Sequence, residues 1–434
     1  MHLAKKINII ESMKYDVIIV GAGAAGLFCA AHMEDKNKRV LLLEASNRPG
    51  LKLLVSGSGQ CNFTHGGKIQ DFLDKYGDNG KKIRKVLYTF SNERVMDYFR
   101  EQGLKIWERE DGKVFPASKK AKDVLDILLN KIEENEVELR KNAKVTDFEP
   151  IVTKNSWYLT LENGEQLETE KLVITTGGFT YPKTGSDGQI FSAIEKIGDL
   201  DIAPLRPALV PIFVNDYCFS SLSGISLPNC QIKKIVEGKG KNKVQIYQDD
   251  LLFTHKNLSG PLILNYSRYL DNGDKFQINF LPDGFKSGEH LPYKGCKKTL
   301  LTLLQEETGF PKAFAQSLIA AACEKVGQEK KVTVAEMLAQ KSASVAGNFV
   351  KVLEGLVRGF EFTVSGKAGL DVAMVTAGGV SMSEVSPASM ESKKHPGLYF
   401  AGEVLNVDGN TGGYNIQFAF SSGYIAAQHI LQLP

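Results

Sequence analysis

The sequence predicts an α/β protein whose nucleotide-binding domain is split by an inserted β-rich, barrel-like module and a small helical bundle. Three observations predict it. A strand–helix–strand unit with a glycine-rich turn lies near the amino terminus, and a strand, a glycine-rich turn and a helix occupy residues 398–431. Between these segments the hydrophobic pattern changes to short β-type runs and then to helical spacing.

The amino-terminal unit carries the most specific motif. An apolar strand (15–20) runs into six residues of glycine and alanine, an alanine-rich helix (24–33) follows, and a second buried strand (39–43) ends at Glu44. In this setting Gly21 permits a tight turn, Gly23 lets a pyrophosphate approach, and Gly26 lets the helix pack on the strand. The helix start offers N–H groups to phosphates, and Glu44 can accept hydrogen bonds from an adenosine ribose. These features predict a bound dinucleotide.

A second anchoring segment near the carboxyl terminus indicates which dinucleotide. Strand 398–400 leads to Gly402 and Glu403, and Gly412-Gly413 precede a helix expected over 416–431. FAD needs such a return because its ribityl chain and ring extend past the first unit, whereas NAD does not. Glu403 can bind ribityl hydroxyls, and the helix start can stabilise the reduced ring. We therefore expect noncovalent FAD.

The glycine-rich loop 50–64 joins the two segments. Small residues let the main chain pass close to a planar ring or a phosphate. We expect Lys52 to pair with the pyrophosphate, and Asn62 and Thr64 to offer hydrogen bonds. Cys61 could be a redox thiol, but a buried, inert cysteine is favoured because no partner cysteine lies nearby in the sequence.

These segments together resemble the family of FAD- and NAD(P)-dependent flavoproteins that includes bile-acid enone reductases and aminoacetone oxidases. The resemblance spans residues 14–434 and includes 175–178, 253–255, 259–261 and 402–417. It implies a split Rossmann-type FAD-binding domain. The family usually has Gly and Arg where this chain has Ser58 and Gln60, so a possible anion contact near the flavin is missing.

The cofactor-binding residues expected from the motifs and the resemblance follow. They are Gly21, Gly23, Ala24, Ala25, Gly26, Glu44, Ala45, Lys52, Ser56, Gly57, Gly59, Cys61, Asn62, Thr176, Gly177, Gly402, Glu403, Gly412, Gly413, Tyr414, Asn415 and Ile416.

Bulk properties exclude several classes of function. The 434 residues carry a net charge of +3, which gives no footprint for nucleic acid or an anionic membrane. No apolar run reaches membrane-spanning length, and 1–14 lacks the core of a signal peptide. Six scattered cysteines without a CxxC pair suggest neither a disulfide framework nor a metal site. We expect a cytoplasmic protein that acts on a small molecule; the oligomeric state stays open.

The motifs divide the chain into segments. We expect a first part of the FAD-binding domain over 14–205 and its second part over 368–434. Between them, we expect a β-rich substrate or lid domain (206–292), a helical bundle (293–351) and a return strand (352–367). Within the first part, 86–102 and 122–135 read as helices and 157–161 and 171–175 as strands. In the β-rich segment, the lysine-rich stretch 238–242 reads as a hairpin tip.

Substrate recognition is expected in the insertion, on the loop around Thr254 and His255. Ser259 resembles a helix N-cap with Pro261 in the first turn. This leaves Thr254 and His255 on the loop that precedes the helix. His255 could donate or accept a proton, although a structural histidine is the stronger interpretation because no partner is visible. The resemblance places this loop over the flavin, so Thr254 and His255 are the catalytic candidates.

Two schemes of electron flow stay open, both with hydride transfer at flavin N5. A substrate amine or alcohol reduces FAD, or NAD(P)H reduces FAD and an activated C=C bond is then reduced. A second nucleotide fingerprint and a dithiol pair are missing, which argues against a disulfide reductase and weakens NAD(P)H use without excluding it. The alternative class is a flavin-binding regulatory or RNA-associated protein without turnover of its own.

Overall fold

The computed structural model describes residues 13–235, 245–327, 337, 341–342 and 345–433. The expected hairpin tip at 238–242 and the extension 1–12 lie outside these residues. The chain forms two compact units, one of residues Met1–Pro207 and Leu370–Pro434 and the other of Ala208–Gly369. The nucleotide-binding segments from both ends of the chain therefore belong to one unit.

The strands are numbered in chain order. They are β1 (Met13–Val20), β2 (Val40–Leu43), β3 (Thr64–His65), β4 (Ile106–Glu108), β5 (Lys113–Pro116), β6 (Glu138–Arg140), β7 (Val145–Ile151), β8 (Ser156–Leu161), β9 (Gln166–Ile174), β10 (Ile202–Ala208), β11 (Ile212–Val214), β12 (Ser226–Lys234), β13 (Ile246–Phe253), β14 (Leu258–Ser259), β15 (Lys275–Asn279), β16 (Phe360–Lys367), β17 (Val375–Val380) and β18 (Leu398–Phe400).

The α-helices are numbered in the same way. They are α1 (Ala24–Ala31), α2 (Leu51–Val55), α3 (Ile69–Phe72), α4 (Gly80–Thr89), α5 (Asn92–Glu101), α6 (Ala121–Glu134), α7 (Ile190–Ile197), α8 (Gly260–Tyr266), α9 (Leu300–Thr308), α10 (Lys312–Gly327), α11 (Gly347–Arg358) and α12 (Tyr414–Leu431).

The first unit is built on a seven-stranded sheet in the order β6-β2-β1-β9-β8-β7, with β18 also paired to β9. β1, β2, β6, β9 and β18 run parallel, while β7, β8 and β9 form an antiparallel meander. Every residue of β2 is buried, as expected for a parallel strand covered on both faces. A Cβ on Gly423 would lie 2.5 Å from the Ala25 carbonyl oxygen, so α1 and α12 pack closely. The expected Rossmann-type arrangement is confirmed.

The second unit contains a closed six-stranded barrel, in the order β11-β14-β13-β12-β15-β16. Helices α9, α10 and α11 share one hydrophobic core with it. Phe314 of α10, for example, lies 5.5 Å from Phe253 of β13 and 4.9 Å from Phe280, ring centre to ring centre. The barrel and the helices, which were expected from the sequence as separate segments, thus share one core within this unit.

Two expectations about helices need correction. Residues 86–102 form parts of two helices, α4 and α5, because Phe90 leaves the helical conformation and the Ser91 hydroxyl accepts the Arg94 N–H as an N-cap. The segment 352–367 is not a strand throughout: α11 continues to Arg358 and β16 begins at Phe360.

Candidate cofactor site

The three fingerprint glycines have different surroundings. A Cβ on Gly21 (φ +102°) would lie 2.8 Å from the Thr175 carbonyl oxygen, and one on Gly26 would lie 1.9 Å from the Gly21 oxygen. Both positions are closed by neighbouring backbone. A Cβ on Gly23 would meet no atom within 4 Å. Gly23 therefore borders open space at the start of α1, which is what a pyrophosphate requires.

The first turn of α1 offers a binding surface to that space. Gly23 occupies the N-cap position and no side chain caps the helix. Ala24 and Ala25 follow, and the first N–H groups of a helix have no partners within it. Phosphate oxygens fit such donors, since the helix start is also partially positive.

Glu44 ends β2 beside this turn and is 7% exposed. Its Oε2 accepts the Ala22 N–H at 2.9 Å, and its Oε1 accepts the Ser46 N–H and hydroxyl at 2.8 and 2.7 Å. The carboxylate thus fixes the glycine turn and keeps lone pairs for ribose hydroxyls. The next residue, Ala45, is exposed. The role of Glu44 in holding the turn was not apparent from the sequence.

Lys52 and Glu403 come together from opposite ends of the chain. The Lys52 ammonium lies 2.6 Å from Glu403 Oε2 and donates to the Thr180 hydroxyl at 2.7 Å. Glu403 Oε1 accepts the Thr376 N–H at 2.7 Å. Lys52 was expected to face the pyrophosphate; here it pairs with Glu403, the residue expected at the ribityl chain. The pair is 27% and 20% exposed in its side chains, so a ligand can reach it.

The loop 56–62 has an unusual backbone. Gly57 and Ser58 both have positive φ, 55° and 57°, and so do Gly59 and Cys61. Gly57 is exposed, and the Ser56 hydroxyl donates to the Leu53 carbonyl. The Cys61 thiol is fully buried, and burial raises its pKa to about 12. Cys61 is thus buried and unreactive at neutral pH, as the sequence favoured.

The side chains of Asn62 and Thr64 were expected to form hydrogen bonds with the cofactor. In the structure they form hydrogen bonds with other residues of the protein. Asn62 Oδ1 accepts the Val114 N–H at 3.2 Å. The fully buried Thr64 hydroxyl donates to Gln417 Oε1 at 2.5 Å. Gln417 Nε2 donates in turn to the Phe90 carbonyl at 3.1 Å. This network ties the first turn of α12 to β3.

The glycine pair that precedes α12 also packs closely against the backbone of β3. Gly412 and Gly413 have φ of 115° and 95°, and a Cβ on Gly413 would lie 2.3 Å from the Thr64 carbonyl oxygen. Gly413 is the N-cap, without a side-chain cap. The Tyr414 ring stacks on His65 at 5.1 Å. Because α12 starts on a glycine, its N–H groups can face a ring edge.

Asn415 and Ile416 complete this turn. The Asn415 amide bonds to the backbone of Gly409, through Oδ1 to the N–H at 2.7 Å and through Nδ2 to the carbonyl at 2.9 Å. Ile416 is partly buried. The Asn415 side chain therefore shapes the loop before α12, so a contact of Asn415 with the cofactor would have to use its backbone.

Two buried hydroxyls lie near the end of β9. Thr176 Oγ1 and Ser186 Oγ have no hydrogen-bond partner within the described residues. A Cβ on Gly177 (φ +79°) would lie 2.8 Å from Ser186 Oγ, so both hydroxyls flank the same turn. Unpaired buried hydroxyls are uncommon and fit a site completed by a polar ligand. These two hydroxyls and the open space beside Gly23 are features that fit a bound dinucleotide.

Thr254 and His255 belong to the second unit, on the loop between β13 and β14. The Thr254 hydroxyl lies 2.6 Å from Asn257 Oδ1, and the Tyr217 hydroxyl donates to the Thr254 carbonyl at 2.8 Å. His255 is exposed and has no hydrogen bond within the described part of the chain. Ser259 precedes α8, as expected, but its side chain makes no capping hydrogen bond.

Two other features are missing from the described residues. No helix there is long and apolar enough to cross a membrane. No group of three or more His, Cys, Asp and Glu side chains in the same residues could hold a metal ion.

Known proteins with similar sequences match nearly the full length of the chain. The model of the HI0933-like protein Rossmann domain matches residues 15–429. The ribosomal RNA dihydrouridine synthase of Escherichia coli K12 is 31% identical over 430 residues, 96% of this chain and 98% of that protein. The 3-dehydro-bile acid delta(4,6)-reductase of Clostridium scindens is 27% identical over 436 residues, 96% and 99% of the two chains.

A solved structure supports the fold. The 3-ketosteroid-delta4-(5alpha)-dehydrogenase of Rhodococcus jostii RHA1 superimposes with a TM-score of 0.50 at 16% identity, over 97% of this chain and 98% of that one. At this identity the likeness concerns the fold alone.

Proposed function

Since this chain belongs to the HI0933-like family and is an FAD-dependent oxidoreductase, we propose that it reduces the C5–C6 double bond of a uridine in ribosomal RNA. End-to-end similarity to the E. coli ribosomal RNA dihydrouridine synthase carries this proposal. That similarity includes the inserted unit, where we expect substrate recognition, because the match covers 96% of this chain.

The reactions that the two relatives are named for are chemically similar. A dihydrouridine synthase reduces a C=C bond conjugated to the uracil C4 carbonyl, and a delta(4,6)-reductase of a 3-dehydro-bile acid reduces one conjugated to a ketone. In both, conjugation to a carbonyl makes the remote carbon of the C=C bond electrophilic, so a hydride can add there and a proton then completes the reduction. Of the two schemes left open by the sequence, the relatives favour reduction of an activated C=C bond over oxidation of an amine or alcohol.

The charge of the inserted unit also favours RNA. Residues 208–369 contain 20 Lys and Arg against 15 Asp and Glu, a net charge of +5. The rest of the chain therefore carries −2, since the total is +3. The near-neutral total that argued against a nucleic-acid partner is an average over two units of opposite sign. The inserted unit therefore carries the excess positive charge of the chain, which favours a polyanionic substrate.

FAD, when bound, would supply the hydride from its N5 atom. The glycine turn and α1 would hold its pyrophosphate, Glu44 its ribose, and Glu403 with Lys52 the ribityl chain. The substrate also needs a proton, and we propose His255 as its donor because the imidazole is exposed and makes no hydrogen bond within the described residues. The Thr254 hydroxyl is used by Asn257, so Thr254 would position the loop.

A reductant must return two electrons to the flavin in each turnover. We propose NAD(P)H, which can reach an open flavin face without a fingerprint of its own. Anaerobic addition of NADPH or NADH should bleach the flavin absorbance near 450 nm.

The proposed substrate is tested by mapping ribosomal RNA. Deleting the gene in the source organism should remove one dihydrouridine, a uridine with two additional hydrogens, and mass spectrometry of RNA fragments should locate it. A plasmid copy should restore the modification, and a copy with Gly23→Ala should not. Unchanged ribosomal RNA in the deletion strain would exclude the proposed substrate. In that case a 3-oxo-4,6-diene steroid is the substrate to test next, given the 27% identical relative.

A further inference from the structure

A surface hairpin in the first unit carries aromatic and basic side chains on one face. β4 and β5 pair antiparallel, with Trp107 opposite Phe115. Side chains alternate along a strand, so Lys105 and Arg109 share the face of Trp107, and Lys113 shares that of Phe115. We call these five residues the hairpin face. It holds three cations, two aromatic rings and no carboxylate.

The charges on the hairpin face are only partly neutralised. Asp111, in the turn, pairs with Arg109 at 3.2 Å and with Lys113 at 2.8 Å. The Lys119 ammonium lies 4.5 Å from the centre of the Trp107 ring. Lys105 and Lys119 have no carboxylate partner within the described residues. Arg109 and Lys113 therefore share one carboxylate, and two cations of this surface have none in the described part of the chain, while the exposed Glu108 and Glu110 alternate to the opposite face of the strand.

Trp107 is partly exposed and is not a core residue. It is 37% exposed, while Phe115 beside it is 5% exposed, with ring centres 5.8 Å apart. Phe115 thus packs beside the indole, and part of the indole ring stays exposed to solvent. An exposed aromatic ring among cations is the usual surface for single-stranded nucleic acid, where bases stack and phosphates bind the cations.

The hairpin is hydrogen-bonded directly to the strand that follows loop 56–62, the loop expected from the sequence to pass close to the flavin. The Phe63 N–H donates to the Val114 carbonyl at 3.1 Å, and Val114 donates to Asn62 Oδ1. A Cβ on Gly57 would lie 3.4 Å from the Phe115 ring. The hairpin face therefore continues the surface of loop 56–62, so a nucleotide bound at that loop would have its neighbours at Trp107.

We propose, on the basis of the function proposed above, that the hairpin face binds the single-stranded RNA that flanks the target uridine. A base stacks on Trp107, and Lys105, Arg109 and Lys113 bind phosphates. Lys119 moves from the indole to a phosphate when the base stacks.

Binding of a fluorescein-labelled ribosomal RNA oligonucleotide to the holoenzyme, followed by anisotropy over a series of salt concentrations, tests this assignment. Trp107→Ala should weaken binding about 10-fold, since stacking on one base contributes ~1–3 kcal/mol. Trp107→Phe should retain most of the parent affinity for RNA. Lys105→Gln with Arg109→Gln should lower the slope of log K against log salt by ~1.4, about 0.7 for each lost phosphate contact.

The matched control is a second exposed aromatic residue beneath a cation. Tyr88 on α4 is 39% exposed, and the Arg84 guanidinium lies 5.2 Å from its ring centre. Tyr88→Ala and Arg84→Gln should leave binding within about twofold of the parent protein. The flavin content of every variant should match the parent, which shows that each one folds.

The outcomes separate the two proposals. If the parent protein binds RNA and forms dihydrouridine while Trp107→Ala binds equally well, the hairpin assignment is wrong and the function stands. If the parent protein neither binds nor reduces RNA, both are wrong. If the slope of log K against log salt is unchanged or steeper in the variant with Lys105→Gln and Arg109→Gln, the assignment of the hairpin face to RNA binding is also wrong.

Discussion

Gly23→Ala separates binding of the cofactor from stability of the fold. The backbone of Gly23 is in the extended region (φ −84°, ψ −168°), which alanine also adopts, and an added Cβ meets no atom within 4 Å. We therefore expect the free energy of unfolding of the apoprotein to change by less than ~1 kcal/mol. The methyl group would occupy the space of the pyrophosphate. Losing one charge-assisted hydrogen bond to a phosphate costs ~1.5–3 kcal/mol, a 10- to 150-fold weaker affinity for FAD.

The assay is titration of apoprotein with FAD, followed by quenching of flavin fluorescence, together with urea unfolding of the same sample. Gly26→Ala is the matched control, because its Cβ would lie 1.9 Å from the Gly21 oxygen and 2.5 Å from Thr175 Oγ1. That variant should lose ~1–3 kcal/mol of stability. If Gly23→Ala binds FAD with the parent affinity, the pyrophosphate does not lie at Gly23.

Three further perturbations follow from the structure. Glu44→Ala should weaken FAD binding by about one to two decades and destabilise the apoprotein by ~1–3 kcal/mol, because the Ala22 and Ser46 N–H groups lose their acceptor; an unchanged fluorescence titration would count against the ribose contact. Burial lowers the pKa of His32 from 6.5 to about 4, so the unfolded chain binds more protons between these values and stability falls as the pH drops through this window. From pH 7 to pH 5 this amounts to ~2 kcal/mol, and urea unfolding should show His32→Phe losing that much less than the parent protein; equal losses would reject a neutral buried imidazole. His255→Ala should leave FAD occupancy intact and slow substrate-dependent flavin reoxidation in anaerobic stopped flow by about 10²-fold, whereas loss of FAD with normal kinetics in the remaining holoenzyme would make His255 structural.

The parts of the site that depend on local sequence were predictable. The strand, the glycines of 21–26 and the acid at Glu44 lie within 30 residues, and each glycine has a separate steric requirement that the structure reproduces. The parallel sheet follows from the buried strand that precedes the turn and the one that follows it.

Features that depend on distant contacts were not predictable. Helix 86–102 breaks at Phe90, whose carbonyl accepts hydrogen bonds from Gln417 and Ser421, more than 300 residues away. Lys52 pairs with Glu403 across 351 residues, which no spacing argument reveals. The hairpin of β4 and β5 was missed because strands of three and four residues give too short a periodic signal.

A single-turnover reaction with RNA tests the central claim most directly. Holoenzyme reduced with one equivalent of dithionite is mixed anaerobically with an unmodified ribosomal RNA transcript, so the identity of the natural reductant does not matter. We predict recovery of the flavin absorbance near 450 nm and one dihydrouridine formed for each flavin oxidised. A flavin that stays reduced with RNA but is reoxidised by a 3-oxo-4,6-diene steroid would contradict the claim and make this protein a reductase of small molecules.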